Sequence, residues 1–117
     1  MPQACRVFLP LPPSVNSLYL NKAGKGRVCT PAYRQWKKDA GWVLQSSPRA
    51  SFAGPFRVRL LVPEKARADV DNYLKAAIDL LTEHRVIVDD RFAKSVSSER
   101  SDVVEDGKCI LIVESAA

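Results

Sequence analysis

The sequence predicts an α/β (α+β) fold: a single domain spanning residues 1–117, in which two main helices pack on one mixed β-sheet. Three observations lead there. The chain has 117 residues, enough to bury one core and too few to divide into two. Two segments repeat apolar residues at helical spacing, and several shorter ones read as strands. Their order is strand, helix, strand, helix, strands, the order of a sheet with helices laid on it.

The apolar run Val7 to Leu9 reads as a first strand, ended by the prolines of LPLPP. PPSVNSLYLNKAGKGRV is rich in Asn, Gly and Ser and carries two lysines and an arginine, so it reads as a basic loop or a hairpin. Thr30-Pro31 then starts a helix, because Thr is a favoured N-cap and Pro fits the first helical position. Tyr33, Trp36, Ala40, Val43 and Leu44 recur at helical spacing as its buried stripe. SSPRASFAGP is a breaker-rich connection. In FRVRLLVP, Phe56, Val58, Leu60 and Val62 alternate with Arg57 and Arg59, the period of a strand with one buried face. After a charged loop from Pro63 to Ala68, a second helix is expected from about Asp71 to His84, with Leu74, Ala77, Ile78 and Leu81 as its apolar stripe. Tyr73 and Leu80 form a second apolar side, facing either the core or a partner. VIVDD reads as a brief strand or turn, RFAKSVSS as a strand, SDVVEDGK as a turn and CILIV as the last strand.

The N-terminus has no apolar run of signal-peptide length, and no stretch approaches the ~20 apolar residues that span a bilayer, which points to the cytoplasm. Cys5, Cys29 and Cys109 are scattered and lack CxxC spacing, so neither a disulfide framework nor a zinc site is expected. His84 is the only histidine and reads as a surface residue near a helix end, which leaves Ser-His-Asp and Cys-His chemistry without support. No phosphate loop or GxGxxG is present.

Charge is divided unevenly in this chain of net charge +5. Residues 1–68 hold twelve Lys or Arg against Asp39 and Glu64, whereas residues 69–117 hold six basic against eleven acidic side chains. A basic surface beside an acidic focus suits a polyanion binder with a metal centre, since Lys and Arg neutralise phosphates while carboxylates hold a divalent cation.

The acidic focus is ADVDNYLKAAIDLLTEHRVIVDD, with five aspartates. Asp69 and Asp71 are two apart, a spacing that lets both carboxylates point to one side ahead of a helix. Asp71 also stands where an N-cap belongs. Lys75 and Asp79 follow at intervals of four and share a helix face with Asp71, and exposed salt bridges would explain that as well. Asp89 and Asp90 are adjacent after an apolar run, where two carboxylates repel unless solvated or bridged by a cation. If that run lies beside the Asp69 to Asp71 segment, three or four hard oxygens converge, a donor set for Mg²⁺ or Mn²⁺. Lys75 is then placed to hold a scissile phosphate.

DVDNYLKAAIDLL followed by VIVDD resembles the signature of the RusA family of Holliday junction resolvases: D-x-D-N, then Lys and Asp in one helix, then D-D about ten residues on. LPLPPSVNSLY is similar to that family's first strand and Pro-Pro-Ser-x-Asn loop. The resemblance covers most of the chain. It departs at Glu83-His84-Arg85, where the family often has a glycine-containing turn. It implies a Mg²⁺-dependent homodimeric endonuclease that nicks four-way DNA junctions in paired, symmetric fashion, with Mn²⁺ as a substitute metal. Residue by residue it implies Asp69, Asp71, Lys75 and Asp90 as catalytic, with Asp69, Asp71, Asp89 and Asp90 holding metal and Asn72 and Asp79 in support. Paired cuts on a two-fold junction are most simply made by a two-fold dimer. Lys22, Lys25, Arg27, Arg34, Lys37, Lys38 and Arg67 are the DNA-binding candidates, with Arg57 and Arg59 behind them. Two alternatives stand beside this reading: a metal nuclease for flaps or other branched DNA, and a non-catalytic DNA-binding module whose acids only cap helices and pair with lysines.

Overall fold

A computed structural model describes residues 3–47 and 51–116. The strands are β1 (Ala4–Pro10), β2 (Tyr19–Lys22), β3 (Gly26–Cys29), β4 (Phe56–Pro63), β5 (Ala93–Ser101) and β6 (Lys108–Ser115); the helices are α1 (Pro31–Ser46) and α2 (Leu74–Glu83). Four strands form one mixed sheet in the order β1-β6-β4-β5, antiparallel except for the parallel pair β4 and β5. The expected mixed sheet with two helices is therefore present. Residues 48–50, part of the breaker-rich connection, lie outside the described residues.

Register sorts the sheet into two faces. Val7 pairs with Leu111 and Val58 with Val113, and these residues join Leu9, Leu60, Val62 and Cys109 in the core under the helices. Arg6, Phe8, Arg57, Arg59, Leu61, Ile110 and Ile112 alternate with them and belong to the opposite face. The basic segment after β1 forms a hairpin of β2 and β3, turned through Gly24 at φ 77°.

Helix α1 starts as its sequence dictates. Thr30 Oγ1 accepts from the Tyr33 amide at 3.1 Å and donates to the Ser17 carbonyl at 2.7 Å, tying the helix start to the preceding loop. Tyr33, Trp36, Ala40 and Leu44 are buried as expected, and Val43 is half-buried against the core. Trp36 Nε1 donates to the Pro10 carbonyl at 2.7 Å and fixes α1 to the end of β1. Gly41 is also buried, because His84 lies over it: a Cβ there would be 2.9 Å from the imidazole Nε2. His84 is thus half-buried between the helices rather than a surface residue.

The second helix differs from expectation at its start and in its buried face. Val70–Tyr73 is a 3-10 turn, and α2 begins only at Leu74. Tyr73, Ala76, Ala77, Leu80 and Leu81 are buried, while Leu74 and Ile78 are half-buried. The side holding Tyr73 and Leu80 therefore faces the core. VIVDD is not a strand: Ile87 makes an isolated bridge to Phe52, and the next strand starts at Ala93. None of the described helices is long and apolar enough to cross a membrane.

The end of α2 resolves the Glu83-His84-Arg85 turn. Val86 N–H donates to the Leu81 carbonyl at 2.9 Å and Arg85 N–H to the Thr82 carbonyl at 3.1 Å, the paired bonds of a Schellman motif. Buried Val86 and Leu81 supply its apolar contact. The motif needs a left-handed residue after the cap, and Arg85 takes that role at φ 60°. A non-glycine residue there costs roughly 1–2 kcal/mol, offset in part by the ~0.5–1 kcal/mol of chain entropy that glycine loses on folding. Urea unfolding is expected to find Arg85→Gly as stable as the parent or up to about 1 kcal/mol more stable, and Arg85→Val less stable, since β-branched residues tolerate this region worst. Equal stabilities for the two variants would remove strain as the description of this turn.

Candidate active site

The acid-bearing segment runs from the end of β4 through residues 64–69 into the 3-10 turn and α2. Asp69 is the residue preceding the turn and makes no side-chain capping bond. Asp71 lies inside the turn, so it is not the N-cap that its position suggested; Tyr73 occupies that place in α2, also without a side-chain cap. Both carboxylates are exposed, and neither hydrogen-bonds or pairs with a described residue. Capping therefore does not account for them.

One helix turn on, Lys75 Nζ meets Asp79 Oδ2 at 3.2 Å, with side-chain exposures of 50% and 33%. An i,i+4 pair this exposed contributes only a few tenths of a kcal/mol and is easily exchanged for another partner. Asn72 is half-buried, and its backbone N–H donates to the Asp69 carbonyl at 2.9 Å.

Asp89 and Asp90 open a second 3-10 turn, Asp90–Phe92, just ahead of β5. Asp89 accepts from the Arg91 backbone N–H at 3.0 Å, and that bond, followed by one from the Asp90 side chain, holds its carboxyl below the usual range. Asp90 is pushed up, first because its own carboxyl bonds to Asp89 and further because Asp89 and Asp79 repel its charge, while Lys75 acts weakly in the opposite direction. The two carboxyls titrate as a pair, Asp89 shifted below and Asp90 above the ordinary aspartate range.

The five aspartates do not close into a cage: among the described residues no three acidic or other ligating side chains form a ready cation site. They make a strip. Asp90 stands in the field of Asp79 and Lys75, and Asp71 and Asp69 lie at the head of the same helix. From Asp71 to Asp79 the axial rise is ~12 Å at helical spacing.

The basic candidates fall into two groups. Lys22, Lys25 and Arg27 project from the hairpin, where the Arg27 guanidinium stacks 3.8 Å from the Tyr19 ring centroid. Arg34 donates to the Cys29 carbonyl at 3.0 Å, and Lys38 is exposed on α1. Lys37 is already engaged: its Nζ pairs with Glu83 at 2.9 Å, linking α1 to α2, and that bond raises its pKa. Arg67 is exposed two residues before Asp69.

Sequence reasoning missed three residues that hold the acid-bearing segment. Ser98 Oγ donates to the Val70 carbonyl at 2.8 Å, Arg100 donates to three carbonyls of residues 64–68, and the Tyr73 hydroxyl accepts from the Ala68 amide at 3.0 Å. Ser98 and Arg100 pair with Leu60 and Val62, so they lie on the helix-bearing face of β5. Polar residues on that face were the one available signal.

Carbon-detected NMR titration checks the carboxylate pair. Asp89→Asn replaces the charged acceptor by a weaker neutral amide oxygen and removes the repelling charge, so the Asp90 titration is expected to move down towards an ordinary aspartate. An unmoved Asp90 would show that the two groups do not titrate as a pair.

The family model described as "Endodeoxyribonuclease RusA" matches residues 10–112. Among curated relatives, the crossover junction endodeoxyribonuclease RusA of Escherichia coli O139:H28 is 28% identical over 109 residues, covering 92% of this chain and 91% of its own. Its counterpart in Escherichia coli K12 is 27% identical over the same lengths. The match takes in β1's end, the hairpin, both helices and the whole acid strip, and on that evidence the chain belongs to the RusA family of endodeoxyribonucleases.

Proposed function

We propose that this protein resolves four-way (Holliday) DNA junctions in recombination and repair, by Mg²⁺-dependent, paired, symmetric nicks. The observation that carries the reading is the pair of uncommitted carboxylates, Asp69 and Asp71, at the head of a helix whose next polar positions are Lys75 and Asp79. The Asp89–Asp90 pair follows α2, at the turn ahead of β5. The donor set fits the cation. Mg²⁺ takes carboxylate oxygens, keeps several waters and shares its remaining positions with substrate phosphate, so it needs no closed protein cage. Asp89 and Asp90 are adjacent in the chain, where two carboxylates repel unless solvated or bridged by a cation.

Asp69, Asp71 and Asp90 would hold the metal with Asp89 beside them, and the bound ion supplies activation of a water and neutralisation of charge on the phosphate. Lys75 is held by one weak, half-exposed ion pair, so it exchanges Asp79 for a phosphoryl oxygen at small cost and stabilises the charge that develops there. Asp79 thereby keeps the ammonium near the site when no DNA is bound, and the Asn72 backbone N–H closes the turn between the acids on the Asp69 carbonyl. Lys22, Lys25, Arg27, Arg34, Lys38 and Arg67 track backbone phosphates, in contacts that weaken as salt rises.

The protein acts as a homodimer joined through the helix-free sheet face. Phe8 is 60% exposed there, in the row of Ile110, Leu61 and Glu99, beside the row of Arg6, Ile112, Arg59 and Ser97. Arg57 and Glu114 pair in the third row, and Arg59 meets Glu99 at 2.7 Å. An apolar centre flanked by both signs of charge is self-complementary about a two-fold axis, as an isologous contact between two copies must be.

Labelled four-way junction, flap and linear duplex, each with Mg²⁺ or EDTA, test the activity. Paired nicks in the junction with Mg²⁺ are expected. Asp71→Asn should lower nicking more than about 100-fold, beyond the usual effect of an outer-shell change, while junction binding persists. Lys75→Ala should lower the single-turnover rate by about 10²- to 10³-fold with a smaller loss in binding. Preferred cutting of flaps would assign a different branched substrate, and tight junction binding with no incision in any divalent metal would leave a binding module. Sedimentation tests the dimer: Phe8→Glu should shift the protein to monomer without unfolding it, and an unchanged dimer would place the interface elsewhere.

A further inference from the structure

Arg100, near the end of β5, hydrogen-bonds to the main chain of the segment leading to the acids and to nothing else described. Its Nη1 donates to the Glu64 carbonyl at 3.1 Å and to the Ala66 carbonyl at 2.7 Å; its Nη2 donates to the Ala68 carbonyl at 3.0 Å. No carboxylate among the described residues pairs with it. Residues 64–69 form no helix or strand, and their main-chain bonds are two at the ends, Ala66 N–H to the Pro63 carbonyl at 3.1 Å and Asn72 N–H to the Asp69 carbonyl at 2.9 Å. The three guanidinium bonds therefore supply most of the order in this loop.

They act at a particular place. Ala68, just before Asp69, is held at both ends of its peptide units, by Arg100 at the carbonyl and by the Tyr73 hydroxyl at the amide. Val70, just after Asp69, is held at its carbonyl by Ser98. The backbone on either side of Asp69 is fastened to β5 and to the 3-10 turn, while the Asp69 carboxylate stays free. Loop backbone with so few internal bonds samples many conformations, and ordering it after a ligand arrives subtracts from affinity.

We propose that Arg100 is a positioning residue for the acid strip: its planar fork clasps residues 64–68 so that Asp69 and Asp71 are presented to the cation before it binds. This rests on the reading of those two aspartates as metal-holding groups. It separates Arg100 from the DNA-binding arginines. Three of its five N–H groups are committed to carbonyls, so it is not a free phosphate contact. Lysine lacks the planar fork and would reproduce the clasp only in part.

Arg100→Ala, Arg100→Lys and Asp71→Asn, compared with the parent, test the proposal by three readouts. Amide hydrogen exchange, without metal or DNA, should become about tenfold or more faster across residues 64–70 in Arg100→Ala, with the centres of β4 and α2 unchanged. The Mg²⁺ concentration for half-maximal junction nicking should rise by about 10- to 100-fold, the usual scale for outer-shell groups. Junction affinity in EDTA and its salt dependence should stay as in the parent. Arg100→Lys should fall between the two, and it carries the test if Arg100→Ala does not fold. A salt slope reduced by about one, with an unchanged Mg²⁺ requirement, would make Arg100 a phosphate contact and overturn the proposal. So would unchanged exchange at residues 64–70. If Asp71→Asn nicks normally, the site reading itself fails and the proposal falls with it; an inactive Asp71→Asn beside an Arg100→Ala of normal Mg²⁺ requirement removes the positioning role alone.

Discussion

The parallel pairing of β4 with β5 is the constraint from which the rest of the acid strip follows. Two parallel neighbours cannot be joined by a hairpin, so the chain must leave the end of β4, cross a face of the sheet and re-enter at the start of β5. Here α2 makes that return, and ten residues give it a length of ~15 Å. Asp69 and Asp71 belong to the joint where the chain leaves β4, Asp89 and Asp90 to the joint where it enters β5. The two acid pairs thus start from opposite ends of one crossover, with Lys75 and Asp79 on the helix between them. That topology explains why the carboxylates form a strip rather than a cage, and why Lys75 and Asp79 are the groups that Asp90 senses.

An acid strip on a crossover depends on how firmly each joint is held. The exit from α2 is fixed by its own backbone, through the Schellman bonds at Leu81 and Thr82 and the burial of Val86 and Ile87. The entry has no comparable device, since the 3-10 turn carries no side-chain cap and the loop before it has little internal bonding. Its order is borrowed from β5 through Ser98 and Arg100. β5 is an edge strand, so its side chains reach the entry loop without displacing a neighbouring strand. Parallel pairing therefore creates the gap that the acids occupy and also brings up the strand that steadies it.

Much of the fold was legible because it depends on local rules. Thr30-Pro31 announces a helix start, and the alternation from Phe56 to Val62 announces a half-buried strand. The start of α2 was misread because the segment opens with a 3-10 turn, so the helix begins at Leu74 rather than near Asp71. Of the expected stripe, Ala77 and Leu81 are buried and Leu74 and Ile78 half-buried, while Tyr73, Ala76 and Leu80 are buried as well: both apolar sides meet the core, which periodicity alone left open. VIVDD reads equally as a strand or a turn because buried residues of both are apolar, and the structure makes it a turn with one isolated bridge at Ile87. The acids were legible as a set, since their spacing does not depend on packing. Their arrangement in space was not, because the crossover fixes it: they form a strip and, among the described residues, no cage. Arg100 was illegible for a different reason: its partners are main-chain carbonyls, which every residue carries and no sequence pattern records. Lys37 shows a further partner that no sequence pattern records: it is paired with Glu83 across the helices.

The electrostatics of the strip set a condition on the order of events. Uncommitted carboxylates in a chain of net charge +5 draw cations locally while the basic half attracts phosphate. Without a cation, the same carboxylates repel an approaching phosphate. On the proposed reading, cation uptake and close approach of DNA to the acids favour each other, and linkage makes the effect reciprocal: whatever the metal adds to DNA affinity at the site, DNA adds to metal affinity. An open strip suits such coupling better than a closed cage. A cage would saturate with metal alone, whereas a strip with few committed ligands leaves positions that the phosphate completes, so the full charge of the site is assembled where a strand is present to be cut.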